Sequence, residues 1–574
     1  MFNIKDHKTT YMFDPLEYLG PKRRQLLNDS WAGIFRDHII HVLPVSLLLK
    51  HYSANMGRPT NELVAMMGAS LLQHMHDLTD LETAEQFSFN FQWHHALNIT
   101  SNSDSDAYIC PKSIWTTRRI MTEHGIYDAI FNAVGEELQK VFDVDTSLQR
   151  IDSVHIFSNM RHLGRIGIFT STIKKFLTNL KRHHRGDFND LAQDLRERYM
   201  KKEEESSFAM VKPSESPKTL QMVADDLFYL IERFRSHKEI PAMDTYQYMV
   251  RVLKEQCVVE QDEITNEQLV VIKANKDVPS DSLQNPSDPD AGYSGHKGKG
   301  FQVQVAETYS VEEKDDSPQL SLITHVSIQP AHESDANALL PYIDATEQQG
   351  LKPEEVLADT LYGGDNNHEK AGEMDVELIA PTKDNQKDLF CTLTDFEFSD
   401  NDAISSCPED HKPVGVVKQK DGFSISFATE TCSNNCPRHN HCPVKSGKKG
   451  QYFIRYNKRA ARLAQRRAYE RTDEFKEKYR FRAGVEATMS QLDRRTGIKN
   501  LRVRGLKAVS FAATLKATAI NILRAAACRK RKNKAKRPSF SFLWSSVELI
   551  KIVKDHFYAR TGNLTYTFGE RMLG

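Results

Sequence analysis

The chain has 574 residues, too long for one hydrophobic core, so about two to four domains are expected. Apolar residues make up 39% and charged residues 27%, a balance that excludes a largely disordered chain. Net charge is zero, yet Lys445 to Arg537 holds 29 Lys and Arg against 6 Asp and Glu, a local +23 that points to a polyanionic partner such as nucleic acid.

The first 15 residues are polar and carry no secretory signal core, and no window approaches 18 consecutive apolar residues, so neither export nor a membrane span is expected. From 1 to about 145 the chain reads as helical. Gly57-Arg58-Pro59 breaks a first apolar run, and Thr60 or Asn61 is the expected N-cap of a helix carrying Leu63, Met66, Met67, Leu71 and Leu72. Phe87, Phe89, Phe91 and Trp93 alternate with polar residues, as a strand would, but the helical surroundings favour a helix or an aromatic-rich turn. Pro111 with Ser113 marks another helix start. Short helices with turns suit a helix-turn-helix type of module.

Leu148 to Phe157 has strand composition, with Asp152 inside it. From 171 to 275 the chain is charged and mostly helical, with apolar faces at Ile173-Phe176-Leu177-Leu180, Leu227-Leu230-Ile231-Phe234 and Tyr246-Met249-Val250-Leu253. Lys201 to Pro217 reads as a mobile link. Proline and glycine crowd 279–300, and Phe301 to Ala306 then alternates with period two. Leu320 to Ile328, Val356 to Asp359 and Val376 to Ala380 are further strands, with a helical stretch from Ser334 to Gln349. That order indicates a mixed α/β sheet. Short β-like runs and cysteines fill 390–450, and helix is expected again from Gln451.

Asp152 in one strand, Asp359 ending another and Glu486 on a helix over 480–495 form a set able to converge on a pair of Mg²⁺ ions. Such ions activate a water or a 3′-hydroxyl for in-line displacement at phosphorus. Tyr479, Arg482 and Glu486 share one helix face, where Arg482 would contact a phosphate or orient the acid. Three acids among 77 are a weak choice on spacing alone.

The stretches IDSVHIFSNMRHLGR (151–165), SDPDAGYSGHKGKGFQVQVAET (287–308), ITHVSIQPAHESD (323–335), VLADTLYGG (356–364), VELIAPTK (376–383) and YRFRAGVEATMSQLDRRTGIKNLRVRG (479–505) change that. In sequence and order they resemble the DDE transposases of bacterial insertion sequences, the branch with an RNase H-like catalytic domain. GRPTNELVAMM (57–67) is similar to the helical N-terminal domain of the same proteins. The resemblance implies metal-dependent DNA cleavage and strand transfer, with Asp152, Asp359 and Glu486 as the catalytic, Mg²⁺- or Mn²⁺-binding acids. It implies the strands of Asp152 and Asp359 side by side. The family's Tyr-x2-Arg-x3-Glu-x6-Lys signature falls on Tyr479, Arg482 and Glu486, but its last position here is Asp493, with Arg494 adjacent. It further implies double-stranded DNA as partner, both terminal inverted repeats and target, a homodimer on DNA, and a cytoplasmic bacterial protein.

Tyr293 to Gly300 lacks the spacing of a nucleotide-binding loop. Its Lys297 and Lys299 either approach a DNA backbone or form an exposed hairpin lead-in. Arg494, Arg495, Lys499, Arg502, Arg504 and Lys507 are expected to hold phosphates beside the metal site. Arg529 to Arg537 reads as a mobile, non-specific contact. Cys407, Cys432, Cys436 and Cys442 offer four thiolates to a structural Zn²⁺, with His439 and His441 as competing ligands and unligated thiols or an iron–sulfur group as alternatives. The other four cysteines read as scattered thiols.

The expected fold is thus α/β: an RNase H-like mixed sheet with inserts. A helical DNA-binding domain spans 1–145, and the catalytic domain spans 146–400 and 450–528 with a helical insert at 171–275. A cysteine-bearing insert covers 401–449 and a basic tail 529–574. The rival readings are a nuclease that cuts without joining and an inactive DNA-binding remnant. A glycosidase using two carboxylates has no use for the basic block.

Overall fold

The computed structural model describes residues 2–8, 16–200, 208, 212–261, 268–311, 319–383, 391–433, 436–447 and 450–535. Most of the expected link at 201–217, and the tail from 536 onward, lie outside the described residues.

The N-terminal part is helical, with its longer helices at Leu63–Met75, Asp80–Phe89, Pro111–Glu123 and Ile126–Phe142. The alternating aromatics fall on two helices, Asp80–Phe89 and Phe91–Ala96, joined at Asn90, whose side chain accepts from the Gln92 N–H. The cap of Leu63–Met75 differs from expectation. Glu62 fills it, its carboxylate accepting from the N–H groups of Val64 and Ala65. Thr60 is occupied by the Asn3 N–H, and Asn61 donates to the Tyr108 carbonyl.

Strand β1 (Leu148–Phe157) follows. The next stretch folds around a core of its own, built on helices Arg165–His183, Ser216–Phe234 and Asp244–Gln256. The three apolar faces read from the sequence meet there. A hairpin of β2 (Cys257–Gln261) and β3 (Gln268–Ile272) packs on it, an element absent from the sequence reading.

The central sheet adds β4 (Gly292–Ser294), β5 (Gly298–Thr308), β6 (Ile323–Pro330), β7 (Glu355–Leu357) and β8 (Glu377–Ile379). Its order is β4-β5-β1-β7-β8, with β6 also paired to β5. β1 runs antiparallel to β5 and parallel to β7, and β7 runs parallel to β8. β5 alternates apolar and polar residues with period two, yet Phe301 to Thr308 is buried throughout. Helices cover both faces, so the polar positions are bonded internally: Gln302 to the Glu333 carbonyl and Gln304 to Asp335. Gly300, at φ 152°, lets β5 run against β1, because a Cβ there would lie 2.0 Å from the Ile156 carbonyl oxygen.

The cysteine-bearing stretch is a small unit with its own core. It pairs β9 (Glu397–Phe398) with β10 (Ile404–Ser406). It also carries β11 (Gly415–Gln419), β12 (Gly422–Phe427), β13 (Lys445–Ser446) and β14 (Tyr452–Asn457), ordered β11-β12-β14-β13. β14 lies where helix was expected; its pairing with β12 buries Ile454 and Tyr456 in that core.

The helix Leu506–Ala535 ties the parts together. Phe511, Leu515, Ala519 and Ile522 enter the core of the N-terminal helices, while Val509, Ala513, Ala517 and Ile520 pack on the sheet. A helix apolar on all sides is sandwiched between two layers. By length and composition it passes for a membrane span, but 72% of its most apolar window is buried inside the fold. Residues 529–535 continue this helix, and Arg529 pairs with Asp37, so the start of the expected tail is ordered.

Candidate active site

The register of β1 and β7 builds the centre. Leu148 pairs with Glu355, Gln149 with Val356 and Arg150 with Leu357. Continued by two residues, the same offset sets Asp152 opposite Asp359. Asp152 Oδ1 accepts from the Ser153 N–H at 2.8 Å, and Asp359 Oδ1 from the Leu361 N–H at 2.8 Å. Burial raises the Asp152 carboxyl above its ordinary range; Arg482 pulls it back, and Asp359 and Asp335 push it up again.

Arg482 sits between the remaining acids. Its Nη2 donates to Asp152 Oδ2 at 2.7 Å and its Nη1 to Glu486 Oε1 at 3.2 Å. Its Nε is buried with no hydrogen-bond partner among the described residues. The expected helix over 480–495 is broken: Asp473–Tyr479 is α-helical, Arg480–Ala483 is a 3₁₀ turn, and Gly484–Thr496 carries Glu486 in its first turn. The turn tightens the backbone at Arg482, so the residue reaches inward while the Glu486 side chain stays 70% exposed. Gly497, at φ 63°, ends that helix. Tyr479 borders the centre, its hydroxyl pushed up by burial and by Asp359 and Asp152.

One acid escaped the sequence reading. Asp335, 5% exposed, accepts from Gln304 and lies 3.7 Å from Lys297 Nζ. It sits in the stretch 323–335, whose closing Asp was a legible signal. Lys297 also donates to Ser153 Oγ at 3.1 Å, next to Asp152. Tyr362, fully buried, donates to Gln304 and closes the floor.

The other cations divide. Lys299 donates to the Leu163 carbonyl and Arg504 to the Asn159 carbonyl. Lys499 pairs with Asp493 and Arg502 with Asp77. Lys507 is exposed. Arg494 and Arg495 are exposed but line a groove on another flank of the Glu486 helix.

Cys407, Cys432, Cys436 and Cys442 gather in the small β unit, and Cys391 joins them with its thiol bonded to Cys442. Sequence reading took Cys391 as a scattered thiol because it enters from a separate segment. Burial pushes the Cys391 thiol up to about 12. His439 Nδ1 is bonded to the Cys432 carbonyl.

Among the described residues, one trio of potential ligands has all its ligand atoms mutually within 4.8 Å: His184, Asp187 and His237 in the helical insert. His237 Nδ1 accepts from the Glu239 and Ile240 N–H groups, so its neutral ring carries the hydrogen on Nε2. That nitrogen faces Asp187 at 3.8 Å as a donor, the wrong form for a metal ligand.

Residues 406–526, which include Glu486, match a family model described as a transposase DDE domain. Residues 25–119 match one described as a transposase domain (DUF772). No curated protein and no solved structure matches the chain. Two transposase models thus match, one over the N-terminal helices and one over the segment carrying Glu486, and together they support a DDE transposase of an insertion sequence.

Proposed function

We propose that this transposase cuts DNA at the ends of its element and joins them to target DNA, using divalent metal held by Asp152, Asp359 and Glu486 on an RNase H-like sheet. The observation that carries the reading is the parallel register of β1 and β7, which, continued two residues past the end of β7 at Leu357, sets Asp359 opposite Asp152, with Arg482 bonded to both Asp152 and Glu486. The path β6-β5-β1-β7-β8, antiparallel up to β1 and parallel beyond it, supports the fold part of the reading.

The donor set fits the metal. Three carboxylates are hard oxygen ligands of the kind Mg²⁺ and Mn²⁺ take. Bound there, the ions would activate a water or 3′-hydroxyl and stabilise the leaving oxygen. Arg482 pulls the Asp152 carboxyl down against its burial and carries a buried Nε–H that a phosphate oxygen would satisfy. The three carboxylates are not mutually within 4.8 Å among the described residues, so to share a metal the exposed Glu486 would have to exchange its bond to Arg482 and turn toward the two aspartates. Lys297, beside Ser153, offers a second cation to the scissile strand. Pairing two element ends calls for two copies of the chain. A structural Zn²⁺ in the small β unit would take four of the thiols of Cys391, Cys407, Cys432, Cys436 and Cys442 and would have to draw them together, since no three of these sulfurs lie mutually within 4.8 Å among the described residues.

The test is Mg²⁺-dependent cleavage of a labelled element end by wild type and by Glu486→Gln. Cleavage by wild type alone supports the reading, and a strand-transfer assay then separates a transposase from a nuclease that only cuts. Equal cleavage by both removes Glu486 from the site.

A further inference from the structure

A groove of about 750 Å³ opens beside the Gly484–Thr496 helix, away from the acids. Arg150, Arg494, Arg495, Arg524 and Arg531 line it, and no carboxylate does among the described residues. At 3.6 residues per turn its helix-borne lining centres about 140° round the axis from Glu486. The long Leu506–Ala535 helix forms the opposite wall through Ala527, Cys528 and Arg531.

Two of the five cations share one counter-ion. Arg150 and Arg524 both bind Glu307, which is fully buried. Glu307 therefore lies beneath the floor, and the two arginines with it balance near +1. Arg494, Arg495 and Arg531 are exposed on the rim, with no ion pair to a described carboxylate; Arg494 Nε reaches only the Ser490 carbonyl, at 3.4 Å. A cleft lined by no carboxylate among the described residues, with three exposed guanidinium groups on two helices, suits the charge of a phosphodiester backbone.

We infer that this groove is a second DNA contact, taking the backbone of a segment other than the one at the acids. The inference rests on the DNA-cutting reading only in naming DNA as the anion. The segment is either the flank of the element end or the target duplex, and the phosphate chemistry is the same for both.

The experiment measures binding rather than cleavage, so its failure is distinct from a failure of the acid site. Fluorescence anisotropy follows the full-length chain on three labelled duplexes: random 30 bp, an element terminus, and the same terminus with its flank. Wild type is compared with Arg494→Gln/Arg495→Gln/Arg531→Gln and with Asp152→Asn. The triple variant is expected to bind at least about tenfold more weakly at 0.1 M salt, with its log K against log salt slope reduced by about 2–3, since each lost phosphate contact removes about 0.9. Asp152→Asn keeps the wild-type slope. A loss confined to the flanked terminus assigns the flank; an equal loss on random duplex assigns the target. Wild-type affinity and slope for the triple variant on all three duplexes overturns the inference. If the triple variant does not fold, Arg494→Gln and Arg531→Gln singly decide the matter, each expected to lower the slope by about 1.

Discussion

Gly484→Ala sets two effects of opposite sign against each other. Gly484 has helical dihedrals, φ −63° and ψ −23°. On backbone grounds alone alanine stabilises such a position by up to about 1 kcal/mol. The structure predicts the reverse. A Cβ there would lie 2.1 Å from Arg150 Nη1 and 2.6 Å from its Cζ. Arg150 is the far end of a flexible side chain, but its guanidinium is held three ways: Nε to Glu307 at 2.8 Å, Nη2 to Glu307 at 2.7 Å, and Nη1 to the Phe481 carbonyl at 2.6 Å. Bonds to charged groups contribute roughly 1.5–3 kcal/mol each. Glu307 keeps Arg524 and Thr488, so the loss is partial, and the net expectation is about 2–4 kcal/mol of destabilisation after the helix gain. Hydrogen exchange by mass spectrometry over β1 and β5 reads the local opening free energy. The control is a cycle with Arg150→Met, in which Gly484→Ala should become neutral or slightly stabilising. An alanine as stable as glycine in the wild-type background, or equally costly in both, would refute the reasoning.

Arg482→Ala removes the cation that lowers Asp152 against its burial. A raised carboxyl keeps its proton to higher pH, so the acid limb of the cleavage profile should move to higher pH; an unmoved limb with lowered rate would mean that Arg482 acts on the phosphate alone. Asp77→Asn keeps the left-handed backbone at φ 52° but removes the carboxylate partner of Lys516, which is 2% exposed and also bonded to the Thr496 carbonyl. A loss of about 3 kcal/mol is expected, visible as a lower thermal midpoint, and an unchanged midpoint would show that the Thr496 carbonyl suffices.

Several elements were legible because their signals are local. The strand holding Asp152 and the three amphipathic helices of the insert follow from composition and periodicity, whereas the aromatic stretch at 87–93 has a strand-like alternation and only its surroundings pointed to helix. The Tyr479–Arg482–Glu486 spacing was legible as a motif, as was the order of the acids along the chain. The interruption by a 3₁₀ turn was not, because a helical pattern does not reveal where the backbone tightens. The cap at Glu62 was missed because Thr60 and Asn61 are claimed by Asn3 and Tyr108, partners far away in sequence.

The sequence by itself determined which residue types are present and how they repeat: three acids in order, a basic C-terminal third, clustered cysteines and long apolar faces. Tertiary structure decided which of them meet. It brought Asp335 beside Asp152, drew Cys391 into the thiol cluster, paired Lys499 and Arg502 with acids, and turned Arg494 and Arg495 away from Glu486. It also made the Leu506–Ala535 helix the shared core of two layers. The physical reason is one of range. Propensity, capping and periodicity act within a turn or a strand, whereas charge pairing and burial depend on distances between segments hundreds of residues apart, set only when the layers close.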